Sequence, residues 1–374
     1  MEKLPIKWIW ENEQFGEFPF DYERISKTLT LIHSTHEKLH TLLLFFDKKE
    51  LDAIETENYT KEIMDSSKIE GEYLKRESVR ASVVSALSNS RTSSKETRHT
   101  QALAKLVLDS KKNNLDITKE RIHSWHYALF SEDKSAREEG IIPGQYRDRD
   151  IAVRENGVLK YSAIPQNRVE EQMSKLVDYC NNSKSDPYVK SAIVHLWFVA
   201  IHPYADGNGR LSRVVADYVL SKDNKNTYKY FSLSSAIANK RDNYYMELDE
   251  TTNLWKNRHF DFTNWINYHN KILDEGISET VKKIDHVIFK ARFWDKYREE
   301  SLNTRQIKVL STLLGDKYSV KKNLGKKEYM GLTDCTSTTA SRDIKDLLEK
   351  GCIVNEKGFE GRNTTYKINF ITQI

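Results

Sequence analysis

One stretch near the middle of the chain is apolar on nearly every side of a helix. It follows Pro187 and runs through residues 188–201, Tyr-Val-Lys-Ser-Ala-Ile-Val-His-Leu-Trp-Phe-Val-Ala-Ile. A helix that lacks a polar face has to be surrounded by protein. The stretch therefore predicts a buried helix, Pro187–Ile201, at the centre of a domain.

The composition favours helix for most of the remaining chain. Its 374 residues, 38% of them hydrophobic, suffice for two or three units with cores of their own. Gly and Pro number only 14 and 6, which argues against a largely disordered chain and against the many tight turns of a sandwich or propeller. We expect a mainly α protein.

The same sequence gives no sign of a membrane or an exported protein. No run approaches the roughly 18–20 apolar residues of a membrane span, and residues 1–10 lack the apolar centre of a signal peptide. Three cysteines, an odd number without a close pair, predict neither a disulfide framework nor a zinc ribbon. A cytoplasmic location is the expectation.

Four regions are predicted along the chain. They are an N-terminal helical region, a helical core, a helical connector and a C-terminal module, over residues 1–100, 117–270, 271–300 and 301–374. One β-hairpin is expected inside the core, because Asn156-Gly157 separates Ile151–Arg154 from Val158–Tyr161 and both turn residues tolerate positive φ.

The residues with recognisable chemistry follow the central helix directly, as His202-Pro203-Tyr204-Ala205-Asp206-Gly207-Asn208-Gly209-Arg210-Leu211-Ser212-Arg213. A glycine-rich turn before a resumed helical pattern collects backbone N–H groups at a helix N-terminus, which is a ready anion site. Arg210 and Arg213 share one helix face and can reach the same anion. Asp206 suits a hard cation such as Mg²⁺. Together with the titratable His202, the pattern predicts phosphoryl or nucleotidyl transfer.

This stretch resembles the Fic motif, His-x-Phe-x-(Asp/Glu)-Gly-Asn-Gly-Arg-x-x-Arg, at every specified position except Tyr204, which replaces one aromatic ring by another. The wider resemblance covers roughly residues 117–270 and includes Gly144-Gln-Tyr-Arg147 and Arg241–Leu248. It implies a Fic-type helical bundle with the hairpin as a flap. It also implies transfer of AMP from ATP to a hydroxyl of a protein.

Carried over position by position, the resemblance gives the motif residues roles. His202 would be the general base for a Ser, Thr or Tyr hydroxyl, and Asp206 would hold Mg²⁺ on the α- and β-phosphates. The remaining phosphate contacts would come from Gly207, Asn208, Gly209, Arg210 and Arg213. Tyr245 and, less directly, Tyr244 would line the adenosine pocket, with two core tyrosines as the alternative. The 151–161 hairpin would align the target as an added strand.

A second motif precedes the core. A helical pattern runs from about Tyr59 to Ile69, and residues 66–71, Ser-Ser-Lys-Ile-Glu-Gly, match the family's inhibitory pattern (Ser/Thr)-x-x-x-Glu-(Gly/Asn). Ser66 and Glu70 share a helix face. A carboxylate at a helix C-terminus is disfavoured by roughly 0.3–1 kcal/mol, which favours a cation elsewhere as its partner. By resemblance that cation is Arg213, and the pair would keep the γ-phosphate from its productive position; a plain surface Glu70 is the alternative.

The last fifth of the chain is basic. From Ser301 onward it has 13 Lys and Arg against 8 Asp and Glu, a net charge of +5 that leaves −1 for the first 300 residues. The pattern predicts three helices and two strands, Thr304–Leu314, Lys326–Met330, Ser337–Lys350, Cys352–Val354 and Thr365–Ile368. This order resembles a winged helix-turn-helix, whose third helix enters the DNA major groove. Suitable polar and basic contacts are Thr336, Ser337, Thr338, Thr339, Ser341, Arg342, Lys345, Lys357 and Arg362.

The sequence therefore predicts a Fic-type protein adenylyltransferase that uses ATP and Mg²⁺, is autoinhibited by Glu70 and also labels itself. One alternative keeps the fold but uses another nucleotide, transfers a phosphate or removes AMP. Another is a DNA-binding regulator with a Fic body as its sensor. Because winged helices also dock proteins, both DNA and a protein stay open as partners of residues 301–374, and a homodimer stays open as well.

Overall fold

The computed structural model describes residues 7–88, 94–112, 115–133, 136, 138–155, 157–223, 227–315, 324–355 and 364–369. Over this part of the chain the fold is mainly α, as predicted. The helices are α1 Tyr22–Leu43, α2 Lys48–Ile69, α3 Arg76–Ser88, α4 Arg98–Lys112, α5 Lys119–Phe130, α6 Val169–Asn182, α7 Pro187–Ile201, α8 Asn208–Asp223, α9 Leu233–Ala238, α10 Arg241–Thr252, α11 Thr263–Lys296, α12 Thr304–Leu314, α13 Lys326–Thr333 and α14 Ser337–Glu349. The strands are β1 Ala152–Glu155, β2 Val158–Ser162, β3 Leu324–Gly325, β4 Ile353–Asn355 and β5 Thr365–Ile368.

The chain divides into two compact units, Met1–Thr280 and Val281–Ile374. The boundary predicted between residues 270 and 271 falls inside α11, which continues without a break to Lys296. No described helix is both long and apolar enough to cross a membrane. Cys180, Cys335 and Cys352 are all unpaired.

The predicted central helix, α7, has the expected bounds and is buried along its length. Only Pro187 and Val199 retain intermediate exposure. The Asp186 side chain caps its N-terminus by accepting the Tyr188 N–H at 2.9 Å. Helices α6 and α8 pack against α7, so the loop between α7 and α8 starts from a fixed point in the core.

Helix α2 begins eleven residues before the predicted Tyr59. Its first half is rich in charge and shows no apolar stripe, but a capping box of Asp47 and Glu50 starts the helix. Further along, the buried Glu62 accepts hydrogen bonds from Ser232 Oγ at 2.6 Å and from the Ser234 N–H at 3.2 Å. These contacts fix the C-terminal half of α2 against the segment that begins α9.

The predicted hairpin is present as an antiparallel pair of β1 and β2, with a register irregularity between Val153 and Arg154. Its predicted turn residue Asn156 lies outside the described residues. The buried Tyr161 donates its hydroxyl hydrogen to Ala200 O at 2.7 Å, which ties β2 to the end of α7. The β1–β2 sheet has two strands in the described chain, so β1 has a free edge.

The second unit contains α12, α13 and α14 with a three-stranded antiparallel sheet in the order β3-β5-β4. The observed α12 and β5 have the predicted bounds, and β3 adds a strand that the sequence pattern does not indicate. Asp343 of α14 accepts hydrogen bonds from Arg305 Nε at 2.8 Å and Tyr329 OH at 2.9 Å, which joins the three helices. The predicted wing residues Lys357 and Arg362 lie outside the described residues.

Candidate active site

His202 lies directly after α7 in a left-handed backbone conformation, with φ 52° and ψ 61°. Non-glycine residues rarely adopt this region, and its cost has to be offset by surrounding contacts. Arg147, only 3% exposed, supplies them: its Nε donates to His202 O at 2.9 Å and its backbone N–H to Pro203 O at 3.0 Å. The histidine is therefore held in one backbone geometry.

The imidazole of His202 has a defined tautomer. Its Nδ1–H donates to Val199 O at 3.2 Å, so Nε2 carries the free lone pair. The pKa of His202 is lowered to about 4, mainly by burial and also by the charge of Arg147, against the raising effects of the Val199 carbonyl, Asp206 and Glu70. At neutral pH the ring is uncharged and able to accept a proton at Nε2.

The loop that follows is closed by the Asn208 side chain. Its Oδ1 accepts the Tyr204 N–H at 3.0 Å and its Nδ2 donates to Tyr204 O at 2.8 Å. The Tyr204 ring is fully buried and stacks on His126 with centroids 4.0 Å apart. In turn His126 Nε2–H donates to Asp206 O at 3.3 Å, while Nδ1 accepts the Gly144 N–H at 2.9 Å. The loop is thus held from both sides.

Gly207 is required by both space and conformation, and Gly209 leaves room for the Glu70 carboxylate. Gly207 has φ +80°, and a Cβ there would lie 2.7 Å from the Phe130 ring. A Cβ on Gly209 would lie 2.5 Å from Glu70 Oε1. The carboxylate of Glu70 therefore lies against the first turn of α8, where a helix N-terminus favours an anion.

Asp206 is exposed at the tip of the loop. One carboxylate oxygen, Oδ1, accepts the Gly207 N–H at 2.6 Å. The hydrogen bond holds one oxygen of the exposed side chain against the loop.

Arg213 is 1% exposed and is held by the end of α2. Its Nη1 forms an ion pair with Glu70 Oε1 at 2.9 Å. Its Nη2 donates to Ser66 O at 3.0 Å and to Ser66 Oγ at 3.1 Å. Ser66 and Glu70, the two residues of the inhibitory pattern, therefore both contact Arg213.

The other motif arginine is also paired. Arg210 Nη1 lies 3.2 Å from Glu72 Oε2. Its guanidinium carbon lies 5.0 Å from the centre of the Phe130 ring. Both arginines thus face α2 and the turn that follows it.

The two predicted adenosine-pocket tyrosines have different surroundings. Tyr244 is 2% exposed, and its hydroxyl shares a hydrogen bond of 3.0 Å with His195 Nε2, so its ring is part of the core. Tyr245 is 40% exposed and lies 5.0 Å from the guanidinium carbon of Arg241. Burial raises the pKa of both phenols, and the charges of Glu70 and Arg213 act on both.

Sequence reasoning did not assign a role to three residues of this site. Arg147 holds the His202 backbone, His126 supports the loop at Asp206, and Glu72 pairs with Arg210. Arg147 ends the stretch Gly144-Gln-Tyr-Arg147, which belongs to the family resemblance but to which the sequence assigns no function. Nothing in the local pattern distinguishes His126 or Glu72 from an ordinary helix or turn residue.

Comparison with known families divides the first unit into two matched segments. Residues 116–220 match the model of the Fic/DOC family, and residues 8–88 match that of a domain of unknown function, DUF4172. The first match includes every residue of the loop and of the paired arginines. Over residues 116–220 the chain is therefore similar in sequence to the Fic/DOC family.

Related proteins and structures agree with that assignment. The protein adenylyltransferase fic-1 of Caenorhabditis briggsae is 32% identical over 66 residues, which are 17% of this chain and 13% of that relative. The chain thus spans well under two thirds of that relative's length. A Fic family protein from Desulfovibrio desulfuricans G20 has a TM-score of 0.52 and 18% identity, covering 92% of this chain and 97% of that one.

A second solved structure gives the same result. A Fic domain containing signaling protein from Bacteroides thetaiotaomicron VPI-5482 has a TM-score of 0.54 and 19% identity, covering 68% of this chain and 97% of that one. At these identities the likeness concerns the fold. The predicted Fic-type helical architecture is confirmed.

Proposed function

We propose that this protein transfers AMP from ATP to a Ser, Thr or Tyr hydroxyl of a protein, and that Glu70 restrains the reaction. The observation that carries the proposal is the placement of a neutral histidine, with Nε2 free, beside a loop that leads into the N-terminus of α8. Relatives named protein adenylyltransferase support the choice of AMP as the transferred group.

In this reaction His202 Nε2 accepts the proton of the target hydroxyl. The hydroxyl oxygen forms a bond to the α-phosphorus as the bond from that phosphorus to the pyrophosphate oxygen breaks, and pyrophosphate leaves. The hydrogen bond to Val199 O keeps the proton on Nδ1 and so keeps Nε2 available. The N–H groups at the start of α8 and the two arginines bind the phosphates.

The residues present fit a magnesium ion. Asp206 is exposed, with one carboxylate oxygen fixed by the Gly207 N–H and the other without a hydrogen-bond partner among the described residues. Mg²⁺ is commonly held by one or two carboxylates together with substrate phosphates and waters. Asp206 would hold the ion, which when bound neutralises phosphate charge.

Glu70 restrains this site in two ways. Its carboxylate lies against Gly209, at the N-terminal turn of α8 where a phosphate oxygen would otherwise bind. It also pairs with Arg213, a guanidinium that the γ-phosphate requires. Because Glu62 fixes α2 against the start of α9, the restraint acts from an anchored helix.

The hairpin offers a place for the target. A two-stranded sheet leaves the outer edge of β1 with unpaired backbone groups, to which an extended segment can add as a third strand. Val153 and Val158 are exposed on this hairpin. A protein segment that carries the hydroxyl would dock here, and a segment of a second copy would account for self-labelling.

The test is transfer of label from α-phosphate-labelled ATP to the protein itself and to a cell lysate. Wild type, Glu70→Gly and the double variant Glu70→Gly, His202→Ala are compared. Labelling that rises in the first variant and disappears in the second supports the proposal. No labelling by any of the three proteins would refute it.

Parallel reactions with UTP, CTP and GTP, each labelled at the α-phosphate, decide the nucleotide. A γ-labelled ATP arm detects phosphate transfer, and incubation with an AMP-modified target detects AMP removal. Preference for any of these over α-labelled ATP would replace AMP transfer by the corresponding reaction.

For the second unit we infer binding of duplex DNA through α14. Its exposed face is polar and basic, and it follows α13 after a three-residue turn, as in a helix-turn-helix. Fluorescence anisotropy with a labelled 20-base-pair duplex at 50 and 200 mM salt tests this. Arg342→Ala should weaken binding and reduce the salt slope by about one phosphate contact, whereas Lys49→Ala in the first unit should not. Salt-independent or absent binding would favour protein docking.

A further inference from the structure

Arg210, the first arginine of the motif, forms an ion pair with a carboxylate outside the inhibitory pattern. Its Nη1 pairs with Glu72 Oε2 at 3.2 Å, and the two side chains are only 12% and 32% exposed. The Nε of Arg210 is buried and has no hydrogen-bond partner among the described residues. The guanidinium is thus only partly satisfied by its carboxylate partner.

The turn that ends α2 brings Glu72 to this position. The Glu72 N–H donates to Ser67 O and the Gly71 N–H to Lys68 O, both at 3.0 Å, and Gly71 has φ +85°. These are the two hydrogen bonds and the left-handed residue of a Schellman motif. Because the motif turns the chain directly after Glu70, carboxylates two residues apart both reach the first turns of α8.

His99, near the start of α4, holds Glu72 from its other side. Its Nε2–H donates to Glu72 Oε1 at 2.8 Å, which leaves Oε2 for Arg210. This hydrogen bond is the main cause that lowers the pKa of Glu72, with the charge of Arg210 contributing further. Arg241 Nε also donates to Ile69 O at 2.9 Å and fixes the backbone before the turn. The carboxylate is therefore ionised and oriented.

The two pairs are arranged in parallel. Glu70 binds Arg213 and Glu72 binds Arg210, and the arginines are three residues apart on one face of α8. Removal of Glu70 alone would leave Arg210 paired.

We propose that Glu72, oriented by His99, is a second restraint on the phosphate site, which holds Arg210 away from the nucleotide as Glu70 holds Arg213. The proposal rests on the proposed function, because it assigns both arginines to phosphate binding. It makes full release of the site depend on the whole turn, residues 70–72, rather than on Glu70 alone.

Ligand binding tests this without requiring transfer. Isothermal titration of the full chain with Mg-ATP, and separately with inorganic pyrophosphate, compares Glu70→Gly with Glu70→Gly, Glu72→Gln. We expect the added Glu72→Gln to tighten the binding of both ligands by roughly two- to fivefold, the range for a partly exposed ion pair. Unchanged or weaker binding of pyrophosphate would overturn the proposal.

Two controls separate the restraint from a general charge effect. Glu77→Gln removes an equal charge from an exposed pair with Lys95, five residues along the chain, and should leave both affinities unchanged. In an Arg210→Ala background Glu72→Gln should also have no effect, because its partner is absent. An equal gain in either control would show a long-range charge effect and refute the restraint.

His99→Gln provides a second variant in case Glu72→Gln perturbs the fold. It should tighten pyrophosphate binding less than Glu72→Gln and add nothing to it, since His99 acts through Glu72. Failure of this proposal and of the proposed function are distinguishable. If Glu72→Gln tightens pyrophosphate binding but no variant transfers AMP, the proposed AMP transfer is refuted and the restraint by Glu72 stands. If AMP is transferred but Glu72→Gln does not change pyrophosphate binding, the restraint by Glu72 is refuted and the proposed function stands.

Discussion

Removal of the Glu70 carboxylate should activate the protein without unfolding it. Breaking a buried ion pair usually costs several kcal/mol because one charge is left without a partner. Here Arg213 keeps two hydrogen bonds to Ser66, at 3.0 and 3.1 Å, so its guanidinium still has hydrogen-bond partners after Glu70 is removed. We therefore expect Glu70→Gly to remain folded and to release Arg213 for the γ-phosphate.

The size of the gain follows from the contact that is lost. The Glu70–Arg213 pair is 2.9 Å long, with side-chain exposures of 29% and 1%. A charge-assisted contact of this kind contributes about 1.5–3 kcal/mol net, which corresponds to roughly a ten- to hundredfold gain in labelling at subsaturating ATP. Glu70→Gln keeps the side-chain shape but not the charge, so its gain should be intermediate.

The assay is self-labelling from α-labelled ATP at equal folded concentration, confirmed by circular dichroism. Glu57→Gln is the matched control, because it breaks an ion pair with Arg76 from the same helix but away from the site. Arg213→Ala should lose activity, and adding Glu70→Gly to it should restore none, since both residues share one interaction. If Glu70→Gly labels no faster than wild type, or if the double variant matches Glu70→Gly, the inhibitory role of Glu70 is wrong.

Three further outcomes are expected. His202→Ala should lower the rate of AMP transfer by about 10²–10⁴-fold. Its affinity for Mg-ATP, measured by titration calorimetry, should stay within a few-fold of wild type. A transfer rate near that of wild type would contradict the role of His202 as the base. Burial lowers the pKa of His126 to about 4 and of His269 to about 3. As the pH falls, both histidines are therefore protonated in the unfolded chain before they are protonated in the folded protein. The free energy of unfolding should therefore fall as pH drops from 6.5 toward 4, by up to about 1.4 kcal/mol per unit for each histidine; urea midpoints at pH 7, 6 and 5 that coincide would exclude this. Gly71→Ala places a Cβ in open space but at φ +85°. The free energy of unfolding, measured by urea titration, should therefore fall by about 1–2 kcal/mol. Self-labelling should rise, because the turn no longer holds Glu70 and Glu72 against the two arginines.

Much of the fold was predictable because its determinants are local. Apolar residues on nearly every side of Pro187–Ile201 predict a buried helix, and its observed ends agree with the prediction. The Asn-Gly turn predicts the hairpin. The charge-rich start of α2 was missed, since periodicity detects only helices with an apolar stripe, and Asp47 with Glu50 start this one by capping. Short β3 was missed because its two residues pair with the distant β5.

The site was predictable to the extent that its chemistry is written in one contiguous motif. The motif predicts a base, an anion loop and two arginines for phosphate binding, but it does not indicate which residues support them. Arg147, His126 and Glu72 reach the motif from other segments of the chain, at sequence separations of 55, 80 and 138 residues. Only folding brings them into contact.

The side chain of Asn208 shows how a motif residue can serve a purpose other than ligand binding. The sequence placed its backbone N–H among the phosphate contacts, and the start of α8 at Asn208 is compatible with that. Its side chain, however, is used on both Tyr204 backbone groups and is 2% exposed. An aspartate would keep the acceptor for the Tyr204 N–H but lose the donor to Tyr204 O, leaving a buried carbonyl and a carboxylate facing each other. The closure of the loop therefore requires an amide at this position, and the geometry at the start of α8, where we propose that phosphates bind, depends on it.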